Sequence, residues 1–263
     1  MKSLEGKIAL ISGGSRGIGR ALCVQLSALG AHVYTFARDA DALARTQELC
    51  AAGAGFTGVQ ADATDAEAIE KLVARIRDEQ GRLDILVNNA AVLGPRKKLE
   101  DVALKDWQKT QQINVDGVFI LATQSIGLLR QGAPSIMLNV SSSVGRVGRA
   151  GWGPYGVSKH AVEGISETLA EELRDDEICV VSINPGGTAT DMRHEAYPGE
   201  DPATLPSADE IAATFVLLIR SLSLAESGRK YDARSLLDLS NNGASNKARR
   251  PDLGGADLPF VRS

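Results

Sequence analysis

The sequence predicts an α/β protein with a parallel sheet and helices on both faces. Short apolar runs rich in β-branched residues alternate along the chain with segments whose apolar residues have helical spacing. The apolar runs are too continuous for strands with one solvent-exposed face. Strands that are buried on both faces are typical of parallel sheets. These two observations favour a doubly covered sheet over an open one.

Length and composition indicate one ordinary globular domain. The chain has 263 residues, of which 43% are hydrophobic and 24% are charged. Sheets with alternating helices commonly reach this size as one unit, so we predict a single domain over residues 1–263. The formal net charge of −4 indicates no general attraction to nucleic acid or to an anionic membrane. The apolar run Ile211 to Ile219 is too short to span a bilayer, so we also expect no membrane segment.

The cysteines and the N-terminus favour a cytoplasmic protein. Cys23, Cys50 and Cys179 are odd in number and lie in apolar contexts, which is typical of reduced interior thiols. The first residues lead directly into a strand pattern, and no apolar signal region precedes it. His32, His160 and His194 have no metal-binding spacing, so no metal site is expected.

Strand and helix patterns can be placed along the whole chain before the last quarter. The predicted strands are residues 7–11, 32–37, 57–60, 83–87, 136–140 and 178–184. Asp65 is a candidate cap for the helix after the third strand. A long helix is predicted from about Leu104 to Leu129, with Asn114 in its middle, and another from Tyr155 to about Leu173.

A glycine-rich turn follows the first strand. Gly13, Gly17 and Gly19 lie between a strand and a helix, where the absence of side chains lets backbone amides and the helix N-terminus approach a pyrophosphate. Tight turns need glycine for other reasons, so the cluster alone is a weak signal. Its position between a strand and a helix strengthens the interpretation as a nucleotide-binding turn.

A tyrosine and a lysine share one face of a predicted helix. Tyr155 and Lys159 are four residues apart, and the glycines and proline just before Tyr155 favour a helix start there. A neighbouring ammonium favours the phenolate of a tyrosine, so Lys159 is expected to lower the pKa of Tyr155. A solvated lysine beside a half-buried tyrosine is the alternative interpretation. Serines that follow the strand 136–140 would lie where α/β sheets bind ligands.

An ordered set of motifs resembles that of the short-chain dehydrogenase/reductase family, in its compact single-domain form. The motifs are Gly13-x-x-x-Gly17-Ile18-Gly19, Asn88-Asn89-Ala90, Asn114, Ser142 and Tyr155-x-x-x-Lys159, and the resemblance runs from about Gly6 to Thr190. It implies a Rossmann-type sheet of seven strands and hydride transfer between a nicotinamide cofactor and a carbonyl or alcohol.

The resemblance also implies roles for four catalytic residues. Tyr155 would be the general acid or base, and Lys159 would lower its pKa and hold the nicotinamide ribose. Ser142 would hydrogen-bond the substrate oxygen, while Ser141 and Ser143 would be structural. Asn114 would hold a water in the path of protons to solvent.

The implied cofactor site includes two arginines that favour NADP over NAD. The cofactor-binding residues would be Gly13, Ser15, Arg16, Gly17, Ile18, Gly19, Arg38, Asp62, Ala63, Asn89, Ala90, Ala91, Tyr155, Lys159, Pro185, Gly186 and Thr188. A basic residue at the end of the second strand accommodates a 2′-phosphate, and two guanidiniums can grip it together. Arg38 could instead be a solvated loop cation, and Asp39 beside it leaves that alternative open.

The predicted function is an NADP-dependent carbonyl reductase. A nucleotide-binding regulatory protein on the same scaffold, with little turnover, is the alternative. The substrate would be a small carbonyl or alcohol compound, covered by a mobile lid over residues 188–207, and residues 241–263 are predicted to be irregular. Apolar positions on the two long helices predict a homo-oligomer, either a tetramer or a dimer.

Overall fold

Seven parallel strands form one continuous sheet in the computed structural model, which describes residues 3–50 and 55–245. The strands are β1 (Ile8–Ser12), β2 (His32–Ala37), β3 (Phe56–Gln60), β4 (Ile85–Asn88), β5 (Ser135–Val140), β6 (Ile178–Asn184) and β7 (Lys230–Asp232). Their order is β3-β2-β1-β4-β5-β6-β7, and every neighbouring pair is parallel. The sheet therefore confirms the predicted α/β fold of Rossmann type.

Helices cover both faces of this sheet. They are α1 (Gly17–Ala28), α2 (Ala40–Leu49), α3 (Ala66–Gln80), α4 (Leu104–Gln111), α5 (Gly117–Gln131), α6 (Gly153–Glu172), α7 (Asp191–Ala196), α8 (Ala208–Ser221) and α9 (Ala233–Ser245). Asp65 accepts a hydrogen bond from the amide of Ala68 and so caps α3, as its position predicts.

The core consists of two apolar layers, one on each face of the sheet. Alternate residues of β1 point to opposite faces, so Ala9 and Ile11 join the layer that contains α1 and α8. Ile8 and Leu10 join the layer that contains α3, α5 and α6. All four side chains are buried, which explains why the strand reads as a continuous apolar run.

The long helix predicted over 104–129 is not one regular helix. A π-helical segment, Gln112–Asp116, lies between α4 and α5, so the prediction of a continuous helix is wrong there. The wider turn places Asn114 in a fully buried position, where its side chain bonds to other parts of the chain. Within the described residues, the stretch Leu104–Gln131 is long and apolar enough to span a membrane by composition, but half of its apolar window is buried inside the protein.

The first residues of the predicted irregular tail are helical. Helix α9 continues to Ser245, so the prediction is wrong for residues 241–245, and residues 246–263 lie outside the described part of the chain. Leu236 is buried in the same apolar layer as α8, which anchors this helix despite the asparagines and glycine that follow. The backbone can continue a helix through such residues at a modest cost.

Candidate active site

The turn between β1 and α1 is rich in glycine and exposes its backbone at the carboxyl edge of the sheet. Gly13 and Gly17 have φ values of +74° and +54°, in the left-handed region that favours glycine. A Cβ on Gly19 would collide with the carbonyl oxygen of Gly13. Arg16 at the N-cap of α1 makes no capping side-chain bond, so the first amides of the helix are free of a side-chain acceptor. This turn is therefore suited to an anion.

The segment after β4 is tied to the end of β1. The Ser12 hydroxyl accepts hydrogen bonds from the amides of Asn89 and Ala90, each at 2.9 Å, and the Asn89 side chain donates to the Ser12 carbonyl oxygen at 2.9 Å. These bonds fix the point where the strand order reverses, which is where such sheets bind ligands. Ala91 has an ordinary backbone conformation, since Glu177 is the one non-glycine residue with positive φ in the described chain.

A cleft of about 400 Å³ opens at this edge of the sheet. Its volume lies within the usual range of small-molecule sites. The predicted cofactor residues that line it are Gly13, Ser15, Arg16, Gly17, Ile18, Gly19, Arg38, Asp62, Ala63, Asn89, Ala90, Ala91, Tyr155, Lys159 and Pro185. The structure thus brings together most of the residues that the sequence assigned to one site.

Arg38, an exposed cation, and Asp39, whose carboxylate caps a helix, follow the end of β2. Arg38 is exposed and lines the cleft. The Asp39 carboxylate accepts a hydrogen bond from the amide of Ala42 at 2.9 Å and so caps α2. Burial tends to raise the pKa of Asp62, but hydrogen bonds from Thr64 and the nearby Arg38 charge outweigh it, so that pKa lies below its ordinary value.

Arg16 reaches across the cleft to the first residue of α7. Its Nη1 atom lies 3.4 Å from a carboxylate oxygen of Asp191, and both side chains are mostly exposed. An exposed pair of this kind contributes about 0–1 kcal/mol at most. Arg16 therefore keeps nearly all of its capacity to bind another anion.

Tyr155 and Lys159 lie on the first turns of α6, which begins at Gly153, two residues before the predicted start. The Lys159 side chain is buried, and its Nζ atom donates a hydrogen bond to the carbonyl oxygen of Val140 at 2.7 Å. The same atom lies 5.7 Å from the centroid of the Tyr155 ring. Both residues line the cleft, so the one-face arrangement predicted from their spacing is confirmed.

The pKa of Tyr155 does not move in the expected direction in the protein by itself. Burial raises the pKa of Tyr155 to about 12, and a hydrogen bond with Ser142 opposes this only in part. Burial also lowers the pKa of Lys159 to about 8, against the influence of the Glu163 carboxylate. The expected lowering of the Tyr155 pKa by Lys159 is therefore wrong for the chain alone, because burial is the largest influence on this pKa and raises it.

A second, smaller pocket of about 150 Å³ adjoins the cleft and shares Tyr155 with it. Ser142 and Ser143 line this pocket, whereas Ser141 lines the larger cleft. The Ser141 hydroxyl is buried and has no hydrogen-bond partner within the described chain. The pocket beside Tyr155 thus contains the serine that the sequence selected, together with one that it did not.

Asn114 lines neither cavity. Its side chain donates to the carbonyl oxygen of Val92 at 2.9 Å and to the Ser158 hydroxyl at 3.0 Å, and it accepts from the amide of Val92 at 2.8 Å. These bonds connect the π-helical segment to α6 and to the segment after β4. The Asn114 side chain therefore holds the two walls of the site together, and its predicted role toward a water stays a prediction.

The segment after β6 divides between the two cavities. Gly186 and Thr188 line the smaller pocket, and the Thr188 hydroxyl donates to the carbonyl oxygen of Gly186 at 3.3 Å. Sequence reasoning missed Asp191, which lines the larger cleft, and Thr190 and Met192, which line both cavities. Their position just after a glycine-rich turn at the carboxyl end of β6 is the signal that could have found them.

The predicted lid segment, 188–207, contributes an aromatic wall to the smaller pocket. The Arg96 guanidinium lies 4.2 Å from the centroid of the Trp152 ring and 4.8 Å from that of Tyr197. Arg193 covers Tyr197 at 3.9 Å and pairs with Glu200. We call Arg96, Trp152, Tyr197 and Arg193 the arginine–aromatic stack. It was not predicted from the sequence.

Residues 3–50 and 55–245 contain no group of side chains that could bind a metal ion. No cluster of three or more histidine, cysteine, aspartate or glutamate side chains is placed to hold an ion in that part of the chain. His194 is exposed on α7 and lines neither cavity.

The geometry fits a nicotinamide dinucleotide. The glycine-rich turn between β1 and α1 leaves no room for side chains where a pyrophosphate would approach. The N-terminus of α1, which has no side-chain cap, lies beside it. The far end of the cleft offers Arg38, and the near end reaches Tyr155 and Lys159. Fold and site together define a dinucleotide-binding α/β protein with a tyrosine–lysine pair beside its cleft.

Comparisons with known proteins agree with this class. The family model for short chain dehydrogenases matches residues 7–201, and the chain belongs to the short-chain dehydrogenase family of oxidoreductases. It is 33% identical to the oxidoreductase YciK of Escherichia coli over 88% of this chain and 93% of that protein. This membership does not favour the regulatory alternative.

Two solved structures show the same similarity in three dimensions. A short chain dehydrogenase from Pseudomonas syringae has a TM-score of 0.82 and 36% identity, over 88% of this chain and 95% of that chain. A short chain dehydrogenase from Escherichia coli, complexed with NADPH, has a TM-score of 0.79 and 32% identity, over 88% of this chain and 97% of that chain.

Proposed function

We propose that the protein is an NADP(H)-dependent carbonyl reductase in which Tyr155 transfers the proton. The observation that carries this proposal is the position of Tyr155, which lines both the large cleft and the smaller pocket. A group that faces a cofactor cleft and a substrate pocket together is placed for proton transfer to the reacting oxygen. Ser142 lines the same pocket and hydrogen-bonds to Tyr155.

The two side chains have the protonation states at neutral pH that a reduction needs. The bound nicotinamide would supply the hydride in a reduction and accept it in an oxidation. Because the pKa of Tyr155 is about 12, its hydroxyl is protonated at neutral pH and can donate to a carbonyl oxygen. Because the pKa of Lys159 is about 8, its ammonium is charged at neutral pH and would stabilise the phenolate that the donation leaves. The Ser142 hydroxyl would orient the same oxygen.

The choice of NADP(H) rests on the charges at the end of β2. Arg38 is exposed in the cleft, Arg16 has only a weak surface partner, and Asp39 is used as a helix cap. This set favours a 2′-phosphate over the ribose hydroxyls of NAD. A similar structure contains NADPH, which supports the same choice. Arg38→Asp should reverse the preference, and fluorescence titration with NADPH and NADH measures it; equal affinities in the unmodified protein contradict the proposal.

The reductase activity itself is tested with a panel of small aldehydes and ketones. NADPH absorbance is followed with the unmodified protein and with Tyr155→Phe in parallel. Turnover of at least one compound that depends on Tyr155 supports the proposal. A Tyr155→Phe variant that retains most of the activity on a verified substrate would show that another group transfers the proton.

We further propose a cytoplasmic homo-oligomer, either a tetramer or a dimer. Cys23 and Cys179 are buried free thiols, as in reduced compartments. Leu104, Phe119 and Val157 on α4, α5 and α6 are exposed by 70%, 57% and 41%, which favours burial against another subunit. Light scattering at micromolar concentration measures the mass, and a monomer contradicts this proposal.

A further inference from the structure

The charged side chains that line the smaller pocket beside Tyr155 are all arginines among the described residues. Arg149 and Arg193 line this pocket, and no aspartate or glutamate does so among the described residues. A pocket with one sign of charge concentrates ligands of the opposite sign. The question is which of the guanidiniums near the pocket is free to bind such a ligand.

Most arginines around the pocket are engaged by the protein. Arg193 holds Glu200 through two bonds, and Arg146 pairs with the buried Glu163 at 3.0 Å. Arg96 donates to the carbonyl oxygen of Ala196 and belongs to the arginine–aromatic stack. These three guanidiniums are therefore structural parts of the pocket walls.

Arg149 differs from its neighbours. It is exposed, it lines the pocket, and its side chain has no hydrogen bond or ion pair with any residue of the described chain. It lies in the segment between β5 and α6, three residues before Trp152. A guanidinium in this situation can form a bidentate bond to a carboxylate without breaking an existing pair.

The rest of the pocket is mainly apolar. Leu93, Val144, Met192 and the Trp152 ring line it together with Arg149. A volume of about 150 Å³ has room for a compact ring or short alkyl group. The lining thus matches a molecule with an apolar body between two polar ends, one facing Tyr155 and the other facing Arg149.

We propose that the substrate is a carbonyl compound with an aromatic or short apolar body and a carboxylate, and that Arg149 binds this carboxylate. The inference rests on the proposed reductase function and specifies its substrate class. Arg149 is then the residue that determines specificity for the anion, while Tyr155 and Ser142 act on the carbonyl oxygen.

The test compares para-carboxybenzaldehyde with its methyl ester, which has the same body without the charge. The unmodified protein should reduce the acid with the higher kcat/KM. Arg149→Gln should lower the acid-to-ester ratio by roughly tenfold or more, mainly through KM, since a hydrogen bond to a charged group is lost. Arg149→Lys should restore part of the ratio. Arg174→Gln removes an exposed arginine outside both cavities and should leave the ratio unchanged.

A binding measurement separates this inference from the proposed function. Calorimetry on the NADPH complex of Tyr155→Phe should show acid binding that weakens when Arg149→Gln is added. Equal kcat/KM for acid and ester, or a ratio that survives Arg149→Gln, overturns the anion site while reduction stands. Binding of the acid that depends on Arg149, without turnover of the acid or of any compound in the aldehyde and ketone panel, supports the anion site and overturns the reductase. Absence of both turnover and binding overturns both.

Discussion

The cofactor cleft and the substrate pocket meet at Tyr155 but are built from different parts of the chain. The cleft is formed by backbone at the ends of β1 and β4, where Gly13 has a positive φ and Ser12 holds the neighbouring turn. The pocket is formed by side chains, with the arginine–aromatic stack joining three separate segments. Backbone geometry tolerates few changes, whereas side chains can be exchanged. We therefore expect the cleft to determine the choice of cofactor and the pocket to determine the choice of substrate.

The largest expected effect comes from Tyr155, which lines both cavities. Tyr155→Phe removes the proton donor and keeps the ring in place, so turnover should fall roughly 10²–10⁴-fold. NADPH affinity should change little, because the glycine turn and Arg38 are untouched. Steady-state kinetics and fluorescence titration measure the two quantities. A loss of NADPH binding that matches the loss of turnover would mean that the two cavities cannot be separated at Tyr155.

Lys159→Met should weaken catalysis and NADPH binding yet stabilise the fold. Burial lowers the pKa of Lys159 from 10.5 to about 8, so the unfolded chain holds more protons between these pH values. The free energy of unfolding of the unmodified protein should rise with pH through this window. At neutral pH the buried ammonium lowers it by about 3 kcal/mol. The methionine variant lacks this cost, so its advantage should shrink as the pH rises from 7 toward 9.5.

Chemical denaturation at the two pH values measures this difference. Lys71→Met is the matched control, because Lys71 is exposed on α3. This substitution removes the same charge without changing a buried site. The control should show no gain that depends on pH. An advantage for Lys159→Met that grows with pH would contradict the buried-ammonium account.

Gly19→Ala should damage the cleft through the backbone. The new Cβ would collide with the carbonyl oxygen of Gly13, and overpacking of this kind costs typically about 1–3 kcal/mol. NADPH binding should weaken as well, because the turn must shift. Gly127→Ala is the control, because a Cβ there meets nothing within 4 Å on α5 and should stabilise the helix by about 0.5–1 kcal/mol. Thermal unfolding of both variants checks the contrast.

The sequence predicts the cleft better than the pocket for a physical reason. The glycines and the Tyr155–Lys159 pair are local patterns, each within a few residues of a strand or helix end, and the structure places them as expected. Arg96 and Tyr197 are far apart in the chain, and only the folded arrangement shows that they stack. Local spacing carries no information on such a contact.

Burial is the second quantity that the sequence does not contain. Spacing places Lys159 beside Tyr155, but the pKa of each group is set by how much water the fold removes, and this reverses the expected direction for Tyr155. The π-helical segment has a similar origin, because Asn114 bonds to Val92 and Ser158, which lie in other elements. These contacts cannot be seen in the local sequence, where the regular spacing of apolar residues predicts a continuous helix.

The smallest expected effect tests the side-chain origin of the pocket. Tyr197→Leu removes the ring that lies between Arg96 and Arg193. Cation–π contacts contribute about 0.5–2 kcal/mol, so KM for a verified substrate should rise roughly twofold to thirtyfold. Tyr197→Phe keeps the ring and should stay close to the unmodified protein. NADPH affinity should be the same in all three proteins, because Tyr197 does not line the cleft. A change in NADPH affinity equal to the change in KM would show that the two regions are coupled through the lid segment and do not act separately.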